Sequence, residues 1–210
     1  MSGEKAPSAS ERAYRHVKEG VLTGTLRGGE LISEGEVAEA LRMSRTPVRA
    51  AFTQLESEGL LRLYPKRGAL VVPVSARELE DVMESRWVIE RYALERVIAA
   101  PGDLPALLAA SATRQARLKG TAFVENDRAF HRAIVAATDN AILLGLYDSL
   151  RDRQRRMVRA ALRGEDRERA IAREHGEIAS ALAAGDGERA SAALRQHLDA
   201  ALAVMRRAPV

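Results

Sequence analysis

The hydrophobic period of this chain changes once, at Pro73-Val74-Ser75. That change limits the fold more than any other feature. Ahead of it, short helical stretches lead into two brief apolar runs. From Ala76 onward, apolar residues recur at intervals of three and four, with almost no strand signal. A length of 210 residues allows one domain or two small ones. The period change predicts a flexible tail over 1–9, a small mixed domain over 10–75 and an all-helical domain over 76–210. Pro101-Gly102, Lys119-Gly120, Asp139-Asn140, Gly164 and Gly185-Asp186-Gly187 punctuate the second domain. They predict helices at about 76–100, 103–118, 121–137, 140–163, 166–184 and 187–206. Six antiparallel helices with short loops form a bundle. The predicted fold is therefore mostly α.

In the first domain, Ala13, Val17 and Val21 fall at helical spacing between Ser10 and Thr23, with His16 read as a solvated surface residue. Arg27-Gly28-Gly29 is a turn signal. Ser33 and Glu36 form a capping box ahead of the apolar stripe Val37, Ala38 and Leu41. Ser44 is placed to cap the next helix, Pro47 falls in its first turn, and Gly59 stands where a helix ends. From Ala40 to Leu55 there are three arginines, Arg42, Arg45 and Arg49, and no acid. Arg45 and Arg49 are four apart and share a face. A helix N-terminus loaded with arginine suits the major groove of DNA, where the guanidinium bonds a guanine edge in bidentate fashion. Leu61 to Tyr64 and Ala69 to Pro73 flank Pro65-Lys66-Arg67-Gly68 and predict a hairpin with a basic tip. The bland reading is a solvated hairpin. Beside an arginine-rich helix it reads as a wing, with Lys66 and Arg67 on phosphates and Gly68 allowing close approach to a groove.

The run SRTPVRAAFTQLESEGLLRLYPKRGALVV resembles the winged helix-turn-helix of the GntR family of bacterial transcription regulators. The hexapeptide Ser-Arg-Thr-Pro-Val-Arg carries most of the likeness. The resemblance implies DNA contacts from Arg42, Ser44, Arg45, Thr46, Arg49, Lys66, Arg67 and Gly68. Two positions depart from the family pattern. Arg42 stands where the family has Gly in the turn, so Arg42 is expected to make that turn some other way. Ala50 stands where the family has Glu, which bears on which bases are preferred.

Three of the four histidines fall in the predicted bundle. Asp127 and His131 are four apart on one helix face, flanked by Phe123, Phe130 and Ile134. His175 belongs to the apolar set Ile171, Ile178 and Leu182, and His197 lies between Leu194 and Leu198. One such histidine alone reads as a satisfied core residue. Three on apolar faces, with an Asp in register, read as ligands of one divalent metal, because buried imidazoles need partners. Three imidazoles and a carboxylate form an N/O site suited to zinc first, with nickel, manganese or cobalt as alternatives.

Residues from about 76 to 206 resemble the FCD ligand-binding domain of the FadR subfamily, in which an Asp and three His bind a metal. Six helices point to its shorter, VanR-like branch. The resemblance implies a small organic acid as effector. It also singles out Arg86, in Glu84-x-Arg86-x-x-x-Glu90, as the cation that meets the acid. The competing reading of Arg86 is an internal ion pair with Glu90, one helical turn away. The arginine-rich run from Arg151 to Arg163 reads as the solvated face of a long helix, with Met157, Val158 and Leu162 turned inward.

Composition adds exclusions. No apolar run approaches the ~20 residues needed to span a bilayer, and MSGEKAPSASER lacks the apolar core of a signal peptide. A cytoplasmic location is the expectation. Zero cysteines exclude disulfides and thiolate metal sites. A net charge of +4 is weak evidence for nucleic acid by itself. The sequence thus predicts a ligand-responsive repressor, not an enzyme, binding a palindromic operator as a homodimer. The alternatives are a regulator with a purely structural metal, or a metal-dependent hydrolase.

Overall fold

The computed structural model describes residues 6–158 and 165–207, with side chains described except at 156–158, 165 and 207. The chain divides into two compact units, 1–75 and 76–210. The inward face expected of Met157, Val158 and Leu162 lies outside the described side chains.

The first unit runs α1 (Ala9–Thr23), β1 (Leu31–Ile32), α2 (Glu34–Ala40), α3 (Arg45–Ser57), β2 (Leu61–Tyr64) and β3 (Gly68–Val71). Helix α1 starts one residue ahead of the expected boundary. Ser8 is its N-cap, and Ser8 and Glu11 exchange both bonds of a capping box. Ser33 and Glu36 do the same for α2. Ser44 has the extended backbone of an N-cap at α3, but its hydroxyl makes no capping bond, contrary to expectation. Its oxygen is therefore left toward solvent, where Ser44 is exposed. Ala13, Val17 and Val21 of α1 pack on Val48, Phe52 and Leu55 of α3 in one buried cluster. His16 is exposed.

Two helix ends explain the turns. At α3, Leu60 N–H bonds Leu55 C=O at 2.9 Å and Gly59 N–H bonds Glu56 C=O at 2.9 Å, with Gly59 at φ 72°. This is the glycine-terminated C-cap that the sequence predicts. At α2 the same pattern recurs without glycine: Met43 N–H bonds Ala38 C=O, Arg42 N–H bonds Glu39 C=O, and Arg42 sits at φ 52°. Arg42 therefore does not make the turn some other way. It takes the left-handed conformation itself, at a cost of about 1 kcal/mol for a residue with a Cβ.

The sheet has three strands in the order β1-β3-β2, all antiparallel. The wing is thus more than the expected hairpin. Ile32 pairs with Ala69 and Leu31 with Leu70, and a two-residue strand is too short to show a period. Pro65 and Lys66 form the tip, with Lys66 at φ 63° and Arg67 N–H bonding Tyr64 C=O at 3.0 Å. Gly68 sits at φ 102°, and a Cβ there would lie 2.3 Å from the carbonyl oxygen of Ile32. Within the unit, then, Gly68 is required by the approach of β1.

The second unit contains α4 (Ala76–Val97), α5 (Leu104–Gln115), α6 (Gly120–Ala136), α7 (Ala141–Val158), α8 (Glu165–Ala183) and α9 (Gly187–Arg207). Their apolar faces meet in one core, which includes Leu94, Leu108, Phe130, Ile134, Tyr147, Ile178, Leu182 and Leu194. Asn140 Oδ1 caps α7 through Leu143 N–H, and Asp186 Oδ1 caps α9 through Arg189 N–H. Helix α4 ends at Val97, three residues before the expected end, and Pro101-Gly102 follows.

Arg42→Gly should raise the urea-denaturation free energy of the N-terminal transition by about 1 kcal/mol, because glycine takes the left-handed turn without strain. An unchanged or lower value would show that Arg42 is not strained.

Candidate metal centre and nucleic-acid interface

Helices α6, α8 and α9 bring the four expected ligands together. Asp127 and His131 lie one turn apart on α6, His175 comes from α8 and His197 from α9. One donor atom from each lies within 4.8 Å of all the others. His131 Nε2 is 3.0 Å from His197 Nε2. Asp127 Oδ1 is 3.5 Å from His175 Nε2 and 3.9 Å from His131 Nε2. All three imidazoles are buried.

The far side of two rings is held by carboxylates. Glu90 of α4 accepts from His131 Nδ1 at 2.7 Å, and Glu174 of α8 accepts from His197 Nδ1 at 2.7 Å. An Nδ1–H bound to a carboxylate leaves Nε2 as a lone pair aimed at the centre. With both rings in that form, two lone pairs would face one another across 3.0 Å, an arrangement that a shared proton or a metal ion between them relieves. His175 has no hydrogen-bond partner on either ring nitrogen, although its ring stacks on Phe130 at 4.0 Å between centroids. An unpaired buried imidazole is unfavourable by ~1–3 kcal/mol. The residues present therefore fit a metal ion.

Electrostatics favour ligand-ready protonation. Burial drives His131 down to about 4, against the pull of Glu90, and it drives His175 well below the usual histidine value. Burial, the largest single influence, would raise Asp127, but Arg151 together with His131, His175 and His197 outweighs it and holds the carboxyl well below its ordinary range. Glu90 behaves likewise: burial opposes ionisation, and Arg86 and His131 overcome it.

Arg86 is buried, and it makes the internal pair that the sequence offered as the competing reading. Its Nε donates to Glu90 Oε1 at 2.8 Å. Its Nη1 donates to Gln154 at 2.9 Å, while Nη2 has no partner. Glu84 is exposed. Sequence reasoning missed three neighbours. Tyr147 donates to Glu90 at 2.9 Å. Arg151 donates to Asp127 Oδ2 at 2.7 Å and to Gln154 at 2.7 Å. The reading of the whole Arg151–Arg163 run as a solvated face is thus wrong for Arg151, which is buried. Its neutralisation by Asp127 permits that burial. The only available signal was the spacing of Arg151 from buried Tyr147, one helical turn. A separate groove of about 850 Å³ runs between α5 and α8, lined by small residues such as Ala109, Ala112, Gly176 and Ala179. None of the four candidate ligands lines it.

In the first unit, Arg42, Ser44, Arg45, Thr46, Arg49, Lys66 and Arg67 are all exposed, and Gly68 is half-buried. Arg49 is not loose. Its Nε and Nη2 donate to the two oxygens of Glu34 at 2.9 and 2.8 Å. Those bonds hold the Glu34 carboxyl below its usual range. The Arg45 guanidinium lies against Gly35, where a Cβ would be 3.3 Å from Nη2. The N-terminus of α2 thus sits beside both arginines, a relation that sequence spacing did not reveal.

Residues 9–71 match the gntR family of bacterial regulatory proteins, and residues 81–200 match the FCD domain. An HTH-type transcriptional regulator of Streptomyces ambofaciens is 31% identical over 89% of this chain and 80% of its own length. The gluconate operon transcriptional repressor of Bacillus licheniformis is 25% identical over 71% of this chain and 63% of its own. A crystal structure of a GntR transcriptional regulator from Rhodococcus sp. RHA1 superimposes with a TM-score of 0.79 at 25% identity, covering 97% of this chain and all of that one. The chain belongs to the GntR family of DNA-binding transcription regulators and carries an FCD domain behind its winged helix-turn-helix. These relatives are regulators rather than enzymes, which removes the hydrolase alternative.

The metal-free bundle should lose stability as pH falls. His131 is ordinarily protonated near 6.5 when unfolded, but burial holds it down to about 4 in the fold. Between those values the unfolded chain binds more protons, so acid favours unfolding. Thermal melts of chelated protein from pH 7.5 to pH 4 should show a falling midpoint. A flat profile would mean that the histidines do not titrate in this way.

Proposed function

We propose that this regulator is a repressor whose DNA binding responds to a small organic acid at a divalent metal held by Asp127, His131, His175 and His197. The observation that carries the reading is the 3.0 Å approach of two histidine Nε2 atoms whose Nδ1 atoms are both bonded to carboxylates. Zinc suits the N/O donor set best, with nickel, manganese and cobalt as alternatives. The metal would act as a Lewis acid toward an entering carboxylate, and Arg86, with its unpartnered Nη2, would bond the same ligand. The FadR subfamily and its six-helix branch suit this bundle, which has six helices among its described residues.

On the DNA side, Arg45 and Arg49 would read base edges, while Arg42, Ser44, Thr46, Lys66, Arg67 and the Gly68 backbone would meet phosphates and the groove edge. Two copies would present two recognition helices to a palindromic operator. No described helix is long and apolar enough to cross a membrane, and a regulator of this kind works in the cytoplasm. The acid changes operator affinity only to the extent that it binds two states of the protein unequally.

Selection of duplexes from a random pool, followed by binding titrations of the full-length protein, tests both arms. Arg49→Ala should lose ~1–3 kcal/mol of discrimination between selected and scrambled duplexes. An unchanged ratio would remove Arg49 as a reader. Chelation should lower the melting temperature of the bundle, and zinc should restore it. Organic acids should shift operator affinity only in the metal-loaded protein. Should metal stabilise while no acid moves DNA affinity, the metal is structural.

A further inference from the structure

A second set of charges lies beside the metal centre, and their sum constrains the ligand. Arg86 of α4 and Arg151 of α7 both donate to one acceptor, Gln154 Oε1, at 2.9 and 2.7 Å. Two guanidinium groups are thus held side by side in the interior of a bundle, where like charges repel strongly. The amide oxygen between them carries no formal charge, and the amide nitrogen of Gln154 has the Met83 sulfur as its neighbour at 3.7 Å. A carboxylate would be a far better acceptor for both arginines.

The carboxylates already present are committed. Glu90 takes Arg86, His131 and Tyr147 together. Asp127 gives one oxygen to Arg151 and turns the other toward His131 and His175. Arg86 Nη2 remains buried with no partner.

Arg86 and Arg151 contribute two positive charges, Glu90 and Asp127 two negative ones. Glu174, behind His197, is balanced by Arg167 at 2.6 Å. Among the described residues, this cluster is therefore neutral before a metal binds. A divalent ion on neutral imidazoles and Asp127 leaves it two positive charges in excess. Arg86, Glu90, Arg151 and Gln154 are all buried, so water compensates little of that excess, and buried uncompensated charge is strongly unfavourable. One carboxylate cancels half of it. Two cancel it fully.

We propose that the effector is a small dicarboxylate, one carboxylate facing the Asp127–histidine centre and the other bonded by Arg86 and Arg151. This rests on the reading that an organic acid binds at that centre, and it makes Arg151 the residue that selects a doubly charged ligand. Arg151 also bonds Asp127, so a ligand that engages Arg151 alters the hold on a metal ligand. Metal and dicarboxylate should therefore each change the other's affinity by the same factor.

The test uses full-length protein loaded with cobalt(II), whose visible spectrum reports the coordination shell. It is titrated with acetate, propionate, malonate, succinate and glutarate. At least one dicarboxylate should bind about tenfold or more tighter than either monocarboxylate, the scale of one added charge-assisted bond. Arg151→Gln keeps all four metal ligands and should still load cobalt, but its preference should fall to about twofold or less. Arg86→Gln strands Glu90 in the interior and risks unfolding, so Arg151→Gln decides. Equal affinity for mono- and dicarboxylates in the wild type, or undiminished preference in Arg151→Gln, overturns the proposal. Failure of the underlying reading looks different: cobalt loads, yet no acid of either class changes the spectrum or the melting temperature. That result removes the acid effector and the dicarboxylate together.

Discussion

The interior of the FCD bundle has little water to offer an imidazole, and it contains three. Each aliphatic or aromatic side chain buried around them, such as Phe130, Ile134, Ile178 and Leu194, stabilises the bundle by roughly 1.5–3 kcal/mol. A buried imidazole without a partner costs a comparable amount. The surroundings of the histidines follow from this balance. Glu90 and Glu174 take one nitrogen each from His131 and His197. Arg86 and Tyr147 at Glu90, Arg167 at Glu174 and Arg151 at Asp127 then keep the carboxylates from standing alone in turn. The chain of compensation ends at the facing Nε2 atoms, both nitrogens of His175 and one nitrogen each of Arg86 and Arg167. A cation satisfies the first two, and an anion satisfies Arg86. The same desolvation that makes the site costly is what the proposed metal and acid would relieve.

The DNA-binding unit is governed by a weaker constraint. Its arginines are solvated, and exposed ion pairs contribute little to stability. The Arg49–Glu34 bond is better understood as orientation. A bidentate contact through Nε and Nη2 fixes the plane of the guanidinium and leaves Nη1 outside the pair. Arg42 shows the opposite compromise: a cation at the start of the proposed interface is kept although its left-handed backbone would be easier for glycine.

Much of this was legible in the sequence, and the misses share a cause. Periodicity, caps and glycines mark local geometry, so the helices of both units and the ending of α3 at Gly59 could be read directly. The four metal-ligand candidates were also legible, since polar residues on apolar helix faces stand out individually. Strand β1 was not, because two residues carry no period and its partner, Ala69 to Leu70, lies far along the chain. The inward turn of Arg151 was hidden in an arginine-rich run, and it follows from a tertiary partner, Asp127, on another helix. Glu36 was legible as the acid of the capping box, but its neighbour Glu34 was not legible as the partner of Arg49, fifteen residues on. Pairing between elements depends on how helices cross, which local pattern does not encode.

The central claim is that Asp127, His131, His175 and His197 bind one metal ion. X-ray absorption at the metal edge of zinc-loaded full-length protein tests it most directly. The account predicts a first shell of nitrogen and oxygen at about 2.0–2.1 Å, with outer-shell scattering from three imidazoles and no sulfur. A shell with one imidazole or none, or protein that retains no zinc after gel filtration, would contradict it.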